Sequence, residues 1–375
     1  MSRYLSGRLA LGASLLLSLV GCGKDEPDPD PQGTPCERLA PRLQRALEEG
    51  ASADDLPGAI VSLRLPECTW RGATGLSRVE SSTAMKVEDR LRAGSITKTF
   101  VAVVALQLQS EGKLSLEAPL STWLPDFPRA DRITVRQLLN HTSGTANYTQ
   151  NPDFLAEVMN NPGKVWEPEE MMAYGAARSP LFEPGARWEY SNTNYILLGH
   201  IIEAVSGTSL AQQLRTRIIT PLNLTSTGLD GAESLPPLTA GGYTRNPQGG
   251  AWMNLEGMLH PSAAAGAGAL VSSAEDLSRF YEVLLTGDLL TAEARAQLTH
   301  WVQAPGDEDG YGLGLVQWAD DVTPMQGHDG QIPGFSAVAA WLPRQKASLA
   351  VMTNKEGVSL PGITTRKLLQ VLAAP

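Results

Sequence analysis

The chain has 375 residues, 42% of them hydrophobic and 19% charged, with a formal net charge of −10. That length and composition support a substantial core, in two domains or in one large domain carrying an insertion. With no basic stripe and no Lys/Arg block, nucleic acid is not expected as a partner.

The first 22 residues read as a targeting segment, with Arg3 and Arg8 ahead of an apolar run from Leu9 to Val20. That run is shorter than the roughly 20 residues a membrane-spanning helix needs, so a cleaved signal is expected. Its boundary, Leu19-Val20-Gly21-Cys22, resembles a bacterial lipoprotein processing site with Cys22 as the lipidated N-terminus. The alternative is an ordinary signal peptide ending near a cysteine. Residues 23–35 form an acidic, proline-rich tether that cannot build a core. The expected location is therefore the bacterial cell envelope, with membrane contact through the lipid alone. Removing Cys22 leaves Cys36 and Cys68 in a compartment that permits disulfides, and a bridge between them is expected. Two buried free thiols are the alternative.

No internal repeat is visible in the rest of the chain. Ala59 to Leu65 and Thr69 to Gly75 read as an antiparallel pair around a Pro-Glu-Cys turn. Phe100 to Gln109 continues a helix opened near Ser95 and stopped by Glu111-Gly112. Residues from about 115 to 255 are rich in proline turns and short helical segments, with little β alternation. Ala274 to Leu285 is helical. Ser336 to Leu342 and Ala347 to Thr353 read as strands joined by Pro-Arg-Gln-Lys, with a helix near Ile363 to Leu372. The expected fold class is α/β (α+β). Within a domain spanning 36–375, the two terminal parts form an antiparallel sheet flanked by helices, with a helical subdomain inserted between them. A cleft between sheet and insertion is the default site.

Ser95 and Lys98 open the apolar run Val-Ala-Val-Val-Ala-Leu. At i,i+3 in a first helical turn their side chains share a face. Burial would depress the lysine pKa and allow a neutral amine to take the serine proton. A helix N-terminus would favour alkoxide character and oxyanion binding. The bland reading is a capping serine with a snorkelling lysine. Ser-x-x-Lys alone is weak, since Ser110 and Lys113 also match it, but Glu111-Gly112 ends the helix there.

Tyr190-Ser191-Asn192 and His328-Asp329-Gly330 complete a pattern. The order Ser-x-x-Lys, Tyr-x-Asn, His-x-Gly resembles the penicillin-recognising serine hydrolases. The closest branch holds D-alanyl-D-alanine carboxypeptidases, class C β-lactamases, D-aminopeptidases and related esterases. Ile133-Thr-Val-Arg-Gln-Leu-Leu-Asn-His-Thr-Ser-Gly144, Gly268-Ala-Leu-Val-Ser-Ser-Ala-Glu-Asp-Leu277 and Tyr311-Gly-Leu-Gly314 resemble the same branch, from about residue 55 to the C-terminus. The resemblance implies Ser95 as nucleophile, Lys98 as its base and Tyr190 as the group sharing proton transfer. Asn192 would hydrogen-bond Lys98 and the substrate amide. His328 would give a titratable positive charge where many relatives carry lysine. Gly330 would let a substrate backbone approach, and the N–H groups of Ser95 and Gln331 would form the oxyanion hole. No cofactor or metal is implied.

Two departures bear on substrate. Relatives that release a terminal D-alanine often carry threonine where this chain has Asp329. They also carry an arginine after the Tyr-Gly-Leu-Gly strand, where this chain continues Leu315-Val316-Gln317-Trp318. Both changes remove anion recognition, so Asp329 faces an amide, ester or amine-bearing substrate in this reading, or points away and braces His328. His141 reads as structural, at a helix end and turn. His200, His260 and His300 are isolated, with no zinc-ligand spacing. No Gly-x-Ser-x-Gly elbow and no phosphate-binding loop occur. Three function classes compete: an acylating hydrolase of amides, esters, β-lactams or stem peptides; a penicillin or peptidoglycan sensor that acylates without turnover; and a non-catalytic scaffold. An intact Tyr190 disfavours the sensor, and the complete residue set disfavours the scaffold. Oligomeric state is not legible.

Overall fold

A computed structural model describes residues 33–304, 310–318, 323–358 and 362–373. The signal segment, Cys22 and nearly all of the tether lie outside the described residues. Thr34 accepts a hydrogen bond from the Glu37 N–H while the Glu37 carboxylate accepts from the Thr34 N–H, a reciprocal cap. With Pro35 at the first helical position it opens α1 (Pro35–Ala53). β1 (Gly58–Leu65) and β2 (Cys68–Arg78) form the expected hairpin, with Leu65 opposite Cys68. Cys36 and Cys68 are disulfide-bonded, Cα atoms 6.0 Å apart, which ties the start of α1 to the start of β2. β3 (Thr83–Ala84) and β4 (Leu91–Gly94) lead into α2 (Thr97–Ser110). Thr97 through Leu106 are all buried, as in a helix that runs through a core rather than along a surface.

The insertion contributes α3 (Val135–Leu139), α4 (Pro152–Asn160), α5 (Pro168–Ala176), α6 (Asn192–Ser206) and α7 (Leu210–Leu214). It is less purely helical than expected. β5 (Gly228–Leu229) and the hairpin β6 (Tyr243–Arg245) with β7 (Trp252–Asn254) lie within it or at its edge. Strands of two or three residues are too short to show alternation. α8 (Ala265–Gly268) precedes β8 (Leu270–Ser272), which pairs with both β4 and β5. α9 (Ala274–Thr286) and α10 (Ala292–Leu298) follow.

The chain then returns as β9 (Gly310–Tyr311), β10 (Val316–Trp318), β11 (Met325–Ile332), β12 (Phe335–Leu342), β13 (Ala347–Thr353) and α11 (Ile363–Ala373). Among the described residues the main sheet runs β3-β2-β1-β13-β12-β11-β10-β9, antiparallel throughout. β1 pairs with β13, Val61 opposite Val351, so the two ends of the chain meet in mid-sheet as expected. Alternate residues serve different cores. Val61, Leu63, Leu349 and Val351 pack with Leu47 of α1 and Leu368 of α11. Ile60, Ala350 and Met352 share the other core with Phe100 of α2 and Phe280 of α9. A one-residue register slip would exchange these two faces, so the pairing is strongly specified. β4 lies against β11 and β12 and carries the mouth of α2 to that part of the sheet, where the first turn of α6 meets it.

Candidate active site

Ser95 lies in the turn between β4 and α2, two residues before the helix rather than within its first turn. The Lys98 N–H donates to the Ser95 carbonyl at 2.9 Å, so the turn still stacks the two side chains. Lys98 Nζ is 3.0 Å from Ser95 Oγ, 2.8 Å from Asn192 Oδ1 and 2.6 Å from the Ala267 carbonyl. Lys98 is fully buried, and burial holds its amine well below the ordinary lysine range, partly opposed by the Asp329 carboxylate. A neutral amine has two protons. The amide and carbonyl oxygens can only accept, so those protons go to Asn192 and Ala267. The lone pair then faces the Ser95 hydroxyl. Tyr190 donates its own hydroxyl proton to Ser95 Oγ at 2.7 Å. By contrast, Ser110 bonds the Leu106 carbonyl and Lys113 pairs with Glu111, so the second Ser-x-x-Lys match builds nothing.

Two glycines bring the oxyanion candidates together. A Cβ on Gly330 would lie 1.9 Å from the Ala93 carbonyl oxygen and 2.9 Å from Ser95 N. One on Gly94, at φ +54°, would lie 2.7 Å from Gln331 N. Gly330 was expected to admit a substrate backbone. It is required first by the chain itself, because β4 crosses β11 at backbone contact distance.

The His328 wall differs from expectation. His328 Nδ1 lies 2.5 Å from the Asp329 carbonyl, which can only accept, so Nδ1 carries the proton. Its Nε2 then accepts from the Tyr311 hydroxyl at 3.0 Å. Burial, with Lys98 nearby, pushes its pKa down to about 3. His328 is a neutral acceptor that anchors Tyr311, not a titratable cation. The charge on this wall belongs to Asp329, whose side chain is 29% exposed. Burial raises its pKa to about 6.

Ser95, Asn192 and Gln331 stand between two cavities. One, about 240 Å³, is lined chiefly by Tyr148, Phe154, Leu259, Ala263, Ile332 and Pro333. The other, about 260 Å³, is polar and holds Tyr190, Tyr311, His328 and Asp329. All eight predicted residues, Ser95, Lys98, Tyr190, Asn192, His328, Asp329, Gly330 and Gln331, converge here. Tyr311, Ala267 and Thr149, which accepts from Asn192 Nδ2 at 3.3 Å, were not among them. Tyr311 opens the Tyr-Gly-Leu-Gly stretch, from which the resemblance implied no role for it. Ala267 acts through its main chain, which carries no sequence signal.

A sequence profile described as beta-lactamase matches residues 43–372, most of the chain. The chain belongs to the beta-lactamase family. Among solved structures of that fold, a D-stereospecific amidohydrolase from Streptomyces sp. is 36% identical, covering 88% of this chain and 97% of its own, with a TM-score of 0.78. Penicillin-binding protein 4* of Bacillus subtilis is 26% identical over 84% of this chain and 71% of its own. The esterase EstB of Burkholderia gladioli is 30% identical over 55% of each chain, so the match spans about half that esterase's length. Family membership makes this chain a serine hydrolase in general kind.

Proposed function

We propose that this chain hydrolyses an amide or ester through an acyl-enzyme on Ser95. The observation that carries the reading is the three-way contact of Lys98 Nζ, whose two acceptor-only partners leave its lone pair to the Ser95 hydroxyl. Ser95 Oγ attacks the acyl carbon as its proton passes to Lys98. The carbonyl oxygen becomes an oxyanion between the N–H groups of Ser95 and Gln331. The ammonium formed sits 4.8 Å from the Tyr190 ring and 5.5 Å from the Tyr195 ring, faces that favour a cation. Tyr190 gives its proton to the leaving group as the C–N or C–O bond breaks, and the phenolate is refilled from Lys98. In deacylation the same groups take a proton from water as it attacks the acyl carbon, and return it to Ser95 Oγ as the acyl–oxygen bond breaks.

The apolar cavity supports an acyl group bearing an aromatic or branched side chain. Its volume exceeds the roughly 150 Å³ of an engineered cavity that holds benzene. The carboxylate of Asp329 across the site supports esters, amides and amine-bearing substrates over free acids. This agrees with the activities that the Streptomyces amidohydrolase and the Burkholderia esterase are named for. A sensor without turnover is disfavoured by Tyr190 at 2.7 Å from Ser95. Export and lipid attachment through Cys22 belong to the same proposal and would place the enzyme at the cell envelope.

Intact-mass and peptide mapping after a fluorophosphonate should place the label on Ser95. Steady turnover of p-nitrophenyl phenylacetate or a D-phenylalanine amide should then follow. A label elsewhere, or full activity in Ser95→Ala, rejects the mechanism; a burst without turnover favours the sensor.

A further inference from the structure

We propose that His141 is the positioning residue for Tyr190, holding the phenol against Ser95 from outside the reacting atoms. This rests on the proposed role of Tyr190. His141 holds both chain neighbours of that tyrosine. Its carbonyl accepts from the Glu189 N–H at 3.0 Å, and its Nδ1 accepts from the Ser191 N–H at 3.3 Å. Its ring lies under the Tyr190 ring, centroids 4.4 Å apart. A second donor fixes the ring. Asn194 Oδ1 accepts from the Ser143 hydroxyl at 2.7 Å, which turns the Asn194 Nδ2 protons toward His141 Nδ1 at 3.1 Å. Two N–H donors on Nδ1 leave the imidazole proton on Nε2.

Two local costs collect at this residue. His141 adopts φ +61°, a region disfavoured for a residue with a side chain. Its Nε2 is buried without a hydrogen-bond partner among the described residues. A smaller turn residue would avoid both. Costs of this kind persist where the surrounding geometry needs them, and what the His141 side chain supplies is the Nδ1 acceptor on the Ser191 N–H together with the ring against Tyr190.

The comparison uses p-nitrophenyl acetate hydrolysis by the full domain. His141→Gly suits the positive φ but removes ring and acceptor. His141→Asn tolerates the same φ and places an acceptor oxygen where Nδ1 stood. His141→Gly should lower kcat on the order of 10²-fold with KM nearly unchanged, as for a misplaced catalytic group. His141→Asn should stay within about tenfold of wild type. In a Tyr190→Phe background, His141→Gly should cost less than about threefold, because residues acting as one unit are not additive. Equal losses in both backgrounds, or a wild-type kcat in folded His141→Gly beside a slow Tyr190→Phe, overturns the inference. If His141→Gly does not fold, His141→Asn decides: a loss as large as that of Tyr190→Phe overturns it, and retained turnover supports it. A Tyr190→Phe enzyme with undiminished kcat would instead reject the role given to Tyr190.

Discussion

Lys98 Nζ and the Ala267 carbonyl are 2.6 Å apart in a fully buried setting, and this contact takes one of the two protons a neutral amine can give. The fold bears a cost for that amine. An unfolded chain carries an ordinary lysine near 10.5, whereas burial lowers the folded value. Between the two, the unfolded state binds one more proton, so stability rises with pH across that window. Lys98→Met removes the group. Its melting temperature should exceed wild type most near neutral pH, with the advantage shrinking toward pH 10. Turnover should fall by roughly 10²–10⁴, the contribution of a general base. An advantage that widens as pH rises would show that Lys98 is not a depressed amine.

Gly330→Ala tests whether the crossing of β4 over β11 sets the oxyanion site. The new methyl would fall 1.9 Å from the Ala93 carbonyl oxygen, so strand or turn must move. Overpacking of this kind costs about 1–3 kcal/mol. Displacing an oxyanion donor costs about 10²–10³ in kcat. Gly163→Ala, which meets nothing within 4 Å among the described residues, is the control and should change neither quantity. Unaltered kcat in Gly330→Ala would separate the glycine from catalysis.

What was legible in the sequence follows from range. The Ser95–Lys98 contact is local, three residues along one turn, and so could be read from spacing. The meeting of β1 and β13 was legible because both runs are long, apolar and placed at opposite ends of the chain. The charge of His328 was not, because the residue type carries the ordinary pKa and only tertiary burial and Lys98 lower it. Gly330 was read as space for a substrate, since no sequence pattern reveals that β4 crosses it. α1 was missed although Thr34, Pro35 and Glu37 spell a helix start; their neighbourhood reads as tether, and its apolar face is covered by the sheet and by α11 at the far end of the chain.

The cystine is expected to act on stability and not on turnover. Cys36 and Cys68 close a loop with a sequence separation of 32, holding α1 against β2 on the sheet face opposite α2. In the chain-entropy account such a loop contributes about 3–4 kcal/mol. Cys36→Ser with Cys68→Ser should shift the urea midpoint downward by an equivalent amount, with kcat on an aryl ester within about twofold. A large loss of kcat in the folded double variant would mean that α1 reaches the site.

Asp329 and a substrate carboxylate would compete for the same side of the polar cavity. Two like charges about 4 Å apart repel by roughly 1 kcal/mol in water and 4 kcal/mol at an effective dielectric of 20. The 29% exposure of Asp329 favours the lower figure, a loss of about fivefold in acylation efficiency. The pH dependence follows from the raised pKa of about 6. Below that value Asp329 is protonated and its repulsion is absent; above it the carboxylate is ionised. The preference for the methyl ester of a D-Ala-D-Ala peptide over the free acid should therefore widen as pH rises from 5 to 7. Asp329→Thr should flatten the profile and restore the free acid selectively, since threonine carries no charge and can donate a hydrogen bond. A wild type that prefers the free acid at pH 7, or equal effects of Asp329→Thr on both substrates, would remove Asp329 from specificity and leave it as the backbone support of His328 Nδ1.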